Sequence, residues 1–274
     1  MHELRQQIIE IVNRQQGTFA VACKDLTSGK VLLINEHELF HAASTMKVPV
    51  MIEVFKEAKE HRLSLNDSII IKKQFASIVD GSPYELDSTD DSDATLYRHI
   101  GEKRSVGDLL YQMITISSNL ATNLLMEKVS PANIMSTLKT AGANDMQVLR
   151  GVEDNKAFDQ GLNNTTSAFD LLILLEKIAD GKIVDKQSCS EMIRILMDQQ
   201  FNEIIPANLP PNIKVAHKTG FITGVQHDAG IVFLPHGRKY VLVLLSKNLT
   251  DADAAVQSLA LVSEIVYRYI SSGK

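Results

Sequence analysis

Two β-rich stretches enclose a long helical middle in this chain, and that order restricts the fold more than any other feature. Near the start, residues 17–24 and 30–35 have the composition of two strands joined by a hairpin turn. After Pro211, short apolar runs separated by turns indicate three more strands. Residues 64–200 follow helical spacing almost throughout. Strands so far apart in the chain can share one sheet only if the two ends of the chain meet.

The sequence therefore predicts an α/β (α+β) protein, with a five-stranded antiparallel sheet flanked by the terminal helices and an all-helical lobe beside it. We expect residues 1–43 together with 202–274 to form the sheet lobe, and residues 44–201 to form the helical lobe. The active site is expected in the cleft between them. The chain has 274 residues, of which 45% are apolar, and this is enough for a sizeable core.

Charge and composition argue against several classes of function. The net charge is −5 with no basic stripe, so we expect no nucleic-acid partner. No run approaches eighteen apolar residues, so no membrane span is expected. The start of the chain does not resemble a signal peptide, which favours a cytoplasmic protein unless a leader has been removed. Monomer is the default expectation.

Histidine and cysteine usage gives no sign of a metal site. The eight histidines show no H-x-H or H-E-x-x-H spacing, so we expect no metal and no other cofactor. Cys23 lies in a predicted buried strand, and Cys189 precedes a predicted helix. We expect both cysteines to be reduced and structural.

Three short motifs follow one another along the chain. They are Ser44-Thr45-Met46-Lys47, Ser117-Ser118-Asn119 and Lys218-Thr219-Gly220. The first two patterns also occur elsewhere, at residues 136–139, 271–274, 64–66 and 246–248. Each pattern is weak alone. One set, however, combines a helix start, a turn before a helix and a strand end in a single order.

The first motif has the residue types of an activated nucleophile. Ser44 is predicted to open a helix, whose unpaired N–H groups and positive dipole end suit a reaction that creates an oxyanion. Lys47 lies three residues later on the same helix face, where a desolvated lysine could take the serine proton. The alternative is that Ser44 only caps a helix and that Lys47 is a surface lysine.

The ordered set resembles the active-site serine enzymes that react with penicillin, namely the class A β-lactamases and the penicillin-binding D,D-peptidases. The resemblance extends from about Gly17 to the end of the chain. It implies a serine hydrolase that opens β-lactam rings through an acyl-enzyme on Ser44. The implied substrate is a β-lactam or a D-alanyl peptide.

The resemblance also implies a role for each motif residue. Ser44 attacks the lactam carbonyl, and Lys47 is the general base, alone or with Glu153 through a water. Ser117 relays a proton to the leaving nitrogen. The implied substrate-binding residues are Asn119, Lys218, Thr219, Gly220 and Phe221. Among these, the Phe221 N–H would join the Ser44 N–H in an oxyanion hole, and Lys218 and Thr219 would hold the substrate carboxylate.

The deacylation loop is the least regular part of the resemblance. Arg150 to Thr166 matches the family's loop, which makes Glu153 the candidate base for hydrolysis of the acyl-enzyme. Glu153 follows the arginine by three residues, where the family spacing is two, and Asp154 replaces the usual proline. The fallback carboxylates are Asp154 and Asp159. The alternative is that Glu153 only pairs with Arg150 or a lysine.

Three further departures concern the surroundings of the motifs, and one acidic stretch has two interpretations. Ser118 stands where class A enzymes usually have an aspartate that braces the turn. Asn164 stands where an aspartate usually closes the loop. Asp228 lies near the position where many of these enzymes place an arginine for the carboxylate. Residues 80–93 are acidic and form either a solvated loop or a rim beside the substrate cleft.

The sequence leaves other functions open. The irregular deacylation loop is compatible with a D,D-peptidase or esterase that releases penicillin slowly. A β-lactam sensor that acylates once would normally have a membrane tether or a partner domain, and neither is visible in this sequence. A cytoplasmic hydrolase of unrelated amides or esters is the remaining alternative.

Overall fold

The computed structural model of the chain describes residues 1–273. The helices are α1 (His2–Val12), α2 (Lys47–Lys59), α3 (Val106–Thr115), α4 (Asn119–Val129), α5 (Pro131–Ala141), α6 (Asn155–Asp159), α7 (Ala168–Ala179), α8 (Lys186–Met197) and α9 (Ala252–Ser271). The strands are β1 (Thr18–Asp25), β2 (Val31–Ile34), β3 (Phe40–His41), β4 (Ser68–Ile70), β5 (Gln74–Ala76), β6 (Pro83–Glu85), β7 (Lys103–Ser105), β8 (Thr165–Thr166), β9 (Lys214–Ile222), β10 (Val225–Phe233) and β11 (Lys239–Lys247). Short 3₁₀ helices cover Ala43–Met46, Leu96–His99 and Pro235–Gly237.

The predicted five-stranded antiparallel sheet is confirmed. Its strand order is β2-β1-β11-β10-β9, and every neighbouring pair is antiparallel. The first strand of the chain pairs with the last, with Thr18 opposite Lys247. This pairing closes the two ends of the chain into one sheet and leaves β9 at an edge.

Both faces of this sheet are covered, so its central strand is buried from Tyr240 to Ser246. Alternate residues of a strand point to opposite faces. Leu242 and Leu244 pack into the core that also holds apolar residues of α1 and α9. Val243 and Leu245 pack into the core that includes the apolar faces of the middle helices. The division into lobes at residues 43 and 201 stays a prediction.

The structure corrects some predicted boundaries. Ser44 lies in the 3₁₀ turn before α2, and the α-helix itself begins at Lys47. β9 continues to Ile222, so the third motif lies within the strand and not at its end. The pairing of β3 with β8 was not predicted, because strands of two residues show no periodicity. Cys189 lies inside α8, and not before it.

Several other expectations can be compared with residues 1–273. Cys23 and Cys189 are both buried and unbridged. Ser136, in the second match to the first motif, lies within α5. The third match ends at Lys274, which is outside the described residues. Within residues 1–273, no helix combines the length and the apolar character that crossing a membrane requires.

Candidate active site

The Ser44 turn lies directly against the edge strand β9. A Cβ atom built on Gly220 would lie 2.9 Å from the Ser44 backbone nitrogen, which is closer than real Cβ contacts. Only glycine therefore fits at this point of the strand. The residue before the serine, Ala43, has φ +45, and its N–H donates to His41 Nδ1 over 3.1 Å. The geometry thus brings the backbone around Ser44 and the third motif together.

The amino group of Lys47 is fully buried and hydrogen-bonded to the second motif. Its Nζ donates to the Ser117 carbonyl oxygen at 2.7 Å, to Ser117 Oγ at 3.2 Å and to Asn119 Oδ1 at 2.9 Å. Burial lowers the pKa of Lys47 to about 7, while the nearby carboxylates of Asp91 and Glu153 act in the opposite direction. A substantial fraction of Lys47 is therefore neutral near neutral pH, as a general base must be.

The Ser117 hydroxyl contacts the lysines of the first and third motifs, Lys47 and Lys218. Its hydroxyl oxygen lies 3.2 Å from Lys47 Nζ and 3.1 Å from Lys218 Nζ. Burial lowers the pKa of Lys218 well below its ordinary value, and the charge of Lys47 lowers it further. Ser117 has φ +58, a left-handed conformation that a non-glycine residue adopts at a cost of ~1–3 kcal/mol. The arrangement gives a serine hydroxyl two amine partners between which a proton can move.

Asn119 connects the buried lysine to the deacylation loop. Its Oδ1 accepts from Lys47 Nζ at 2.9 Å, and its Nδ2 donates to Glu153 Oε1 at 2.7 Å. Burial raises the pKa of Glu153 to about 7, and the charges of Asp91 and Asp90 add to this effect. The hydrogen bond from Asn119 and the charge of Lys47 act against it.

The side chain of Arg150 is occupied within its own loop. Its guanidinium donates to the carbonyl oxygens of Leu162 at 2.9 Å and Gly151 at 3.0 Å, and to Asn163 Oδ1 at 3.1 Å. Arg150 donates to these groups and not to Glu153, whose carboxylate accepts from Asn119. The alternative in which Glu153 only pairs with Arg150 is therefore not the geometry observed.

Asn164 closes the loop by hydrogen bonds to the backbone instead of an ion pair. Its Oδ1 accepts from the Leu149 N–H at 2.8 Å and the Arg150 N–H at 3.2 Å, and its Nδ2 donates to the Arg150 carbonyl at 2.9 Å. Asn164 is buried. The amide thus satisfies both kinds of backbone group, which a carboxylate could not do.

Asn123 fixes the residues just before Glu153. The Val152 N–H donates to Asn123 Oδ1 at 2.7 Å, and Asn123 Nδ2 donates to the Val152 carbonyl at 3.0 Å. A Cβ on Gly151 would lie 2.5 Å from the same Oδ1. Sequence reasoning gave Asn123 no role. The sequence feature that could have indicated a role for Asn123 is its position four residues after Asn119, on the same face of α4.

The two fallback carboxylates are not in comparable positions. Asp154 is buried and accepts from Ser77 Oγ at 2.9 Å, from the Ile78 N–H at 3.0 Å and from the Ala157 N–H at 3.1 Å. Asp159 is exposed at the end of α6. Glu153, by contrast, reaches the Lys47–Asn119 network.

Two adjoining cavities of about 230 Å³ and about 340 Å³ are both lined by Ser44. The residues that line both are Ser44, Asn119, Glu153, Asn155, Phe221 and Ile222. Glu85, Asp87 and Asp90 line the second cavity. The acidic stretch therefore forms a rim of the cleft, as one of the two sequence interpretations predicted.

Asp228 does not line either cavity, and its contacts indicate a structural role. It is buried, and its carboxylate oxygens lie 2.8 Å from His217 Nδ1 and 2.9 Å from the Ile205 N–H. Arg150 is the one arginine among the residues that line the two cavities. The arginine that many class A enzymes use for the carboxylate has no counterpart at Asp228.

Comparisons with known proteins identify the family of this chain. The chain is 25% identical over 278 residues to the extended-spectrum β-lactamase PER-1 of Pseudomonas aeruginosa, covering 97% of this chain and 87% of that protein. The structure of PBP-A matches with a TM-score of 0.84 and 27% identity, covering 99% of this chain and 97% of that one.

A β-lactamase from Sphaerobacter thermophilus has the same fold, with a TM-score of 0.85 at 23% identity, covering 99% of this chain and 98% of that one. The model of the "Beta-lactamase enzyme family" matches residues 3–270, nearly the whole sequence. The chain therefore belongs to the β-lactamase enzyme family.

Proposed function

We propose that this protein opens β-lactam rings through an acyl-enzyme on Ser44 and then hydrolyses that ester with Glu153 as base. The observation that carries the proposal is the continuous hydrogen-bond network from Lys218 through Ser117, Lys47 and Asn119 to Glu153. It reaches from the third motif to the deacylation loop. Membership of the β-lactamase family supports the same chemistry.

In the acylation step, Ser44 Oγ attacks the lactam carbonyl carbon, and its proton passes to Lys47, directly or through a water held by Glu153. Lys47 Nζ donates hydrogen bonds to Ser117 and Asn119 in the free protein, so a direct transfer requires that contact with Ser44 Oγ forms when substrate binds. The C–N bond breaks, and Ser117 passes a proton to the leaving nitrogen. We place the oxyanion against the N–H groups of Ser44 and Phe221, since Gly220, the residue before Phe221, lies against the Ser44 backbone.

Carboxylate binding rests on Lys218 and Thr219. Among the described residues, the buried Thr219 hydroxyl has no hydrogen-bond partner. An unpaired buried hydroxyl costs about 1–3 kcal/mol. We place the substrate carboxylate against this hydroxyl, and the adjacent Lys218 supplies positive charge when it is protonated.

In the deacylation step, Glu153 takes a proton from a water as the water oxygen attacks the ester carbonyl carbon. The bond from that carbon to Ser44 Oγ then breaks, and the proton passes from Glu153 to Ser44 Oγ. The carboxylate lies beside Asn119 and lines both cavities over Ser44, where such a water could be held. The structure of a PBP-A mutant as an acyl-enzyme complex with penicillin G gives a precedent for the first half of the cycle on a related chain.

The second candidate is a D,D-peptidase that acts on D-alanyl peptides. The observation in its favour is the similarity to PBP-A at 27% identity, together with the irregular spacing of Glu153 after Arg150. Such an enzyme would form the same adduct with penicillin and release it slowly. We expect the protein to act as a monomer in either case, since every group in the proposed mechanism belongs to one chain.

The first experiment follows the intact mass of the protein against time after mixing with benzylpenicillin. We expect an adduct that forms and clears while hydrolysed product accumulates, and no adduct with Ser44→Ala. An adduct that persists for hours, with turnover of a D-alanyl peptide, would favour the D,D-peptidase. The absence of any adduct on the wild type would contradict the proposal.

Glu153→Gln is expected to separate the two steps. Loss of the base should slow release of the adduct by about 10²–10⁴-fold, while acylation changes far less. Asp159→Asn is the matched control, because it removes an exposed carboxylate from the same loop. Equal clearance rates in Glu153→Gln and the wild type would show that another group activates the water.

Gly151→Ala tests how Glu153 is positioned. The new methyl group would overlap the Asn123 amide that holds Val152, so Glu153 should move and deacylation should slow by about 10²-fold. Gly161→Ala is the control in the same loop. It strains a residue at φ +75 but meets no atom within 4 Å. If both variants deacylate equally fast, the clamp on Val152 does not position the base.

A further inference from the structure

The beginning of α4 depends on a carboxylate from a distant part of the chain. The first N–H groups of a helix have no partner within the helix. The Ala121 N–H is capped by Ser118 Oγ at 3.2 Å. The two N–H groups before it donate to Asp91, from Asn119 to Oδ1 at 2.9 Å and from Leu120 to Oδ2 at 2.8 Å. One carboxylate of the acidic rim therefore binds the first turn of α4 with both oxygens.

Asp91 is itself held in place. Its Oδ2 also accepts from the Tyr97 hydroxyl at 3.0 Å, and its Oδ1 accepts from the Asp93 N–H at 3.0 Å. The Asp91 residue is partly buried, unlike the exposed Asp90 beside it. Four hydrogen bonds thus fix the position of this carboxylate, and a negative charge at a helix N-terminus is favourable in addition.

The residue that Asp91 holds is the one on which both chemical steps depend. Asn119 binds Lys47 with its Oδ1 and Glu153 with its Nδ2. Ser117, which contacts both lysines, is two residues earlier in the same turn. The Ser118 hydroxyl accepts from the Ala121 N–H, while the Asn119 N–H donates to Asp91.

We propose that Asp91 is a positioning residue, which holds the Ser117–Asn119 turn in the geometry needed for acylation and for deacylation. From the cleft rim, Asp91 accepts the hydrogen bonds of the Asn119 and Leu120 N–H groups, which Ser118 does not accept. The proposal rests on the proposed function of Ser44 and Glu153, because these two residues define the steps that the turn serves.

The test compares Asp91→Ala with Asp91→Asn and with Asp251→Ala. Asp251 caps α9 through the Ala254 N–H at 2.9 Å, and so it controls for the loss of a helix cap elsewhere in the fold. With benzylpenicillin we expect Asp91→Ala to slow both adduct formation and adduct release by at least about tenfold. Asp91→Asn, which keeps one acceptor oxygen, should fall between Asp91→Ala and the wild type. Asp251→Ala should match the wild type.

The pH dependence of acylation gives a second measurement that a simple helix cap would not change. The charged groups near Lys47 and Glu153 are Asp90, Asp91 and Lys218, and the charge of Asp91 raises the pKa of both Lys47 and Glu153. Removing this charge should move the midpoint of the acylation profile to lower pH in Asp91→Ala and in Asp91→Asn. Rates and midpoints equal to those of the wild type would overturn the proposal.

Hydrogen exchange keeps this test independent of turnover. In Asp91→Ala, peptides covering residues 117–124 should exchange faster than in the wild type or in Asp251→Ala, because the two N–H groups lose their acceptors. If the wild type forms no adduct with penicillin, the proposed function fails while this measurement still stands. Unchanged exchange would show that Asp91 does not hold the turn.

Discussion

The burial of the Lys47 amino group is the interaction on which the rest of the site depends. A buried amine is tolerated only where its donors find acceptors, and the three acceptors here belong to Ser117, in the turn before α4, and to Asn119, the first residue of α4. Lys47 therefore connects α2, which follows Ser44, to Ser117, the residue proposed to relay a proton, and to Asn119. The same burial lowers its pKa to about 7. The group that joins the parts of the site is thus also the group able to act as a base.

The fold brings this lysine together with groups from remote parts of the chain. Pairing of β1 with β11 joins the two ends of the chain, and β9 becomes an edge strand whose glycine lies against the Ser44 backbone. On the opposite side of the cleft, Asn123 and Asn164 fix the loop that presents Glu153. Left-handed backbone occurs at Ala43, Ser117 and Glu153, in the three segments proposed to carry the catalytic groups, and such strain persists only where the surroundings impose it.

The five-stranded sheet was predicted from the sequence and is confirmed, and the roles of the motif residues stay proposals. Ser44 and Lys47 belong to one four-residue motif, so their spacing in the sequence is enough to predict that the two side chains lie close together. Asp91 and Asn123 belong to no motif, and their contacts cross about 28 residues or more of chain, so only the folded structure could connect them to the site. The 3₁₀ turn at Ser44 and the two-residue strands β3 and β8 also lay beyond prediction, because segments so short show no period. For Glu153 the sequence allowed competing interpretations. The structure shows that the Arg150 and Asp154 side chains bond other groups, and the role of Glu153 as base stays a proposal.

The central claim is that Lys47 is neutral near physiological pH and acts as the base for acylation. The most direct test is the rate of acylation by a penicillin as a function of pH, measured in Glu153→Gln so that the glutamate does not titrate. Because Lys47 must lose its proton to act, the rate should rise with pH. Its midpoint should be near 7 or slightly lower, since the charge of Glu153 raises the pKa of Lys47 in the wild type. A rate that keeps rising toward about pH 10, the ordinary range of lysine, would contradict the account.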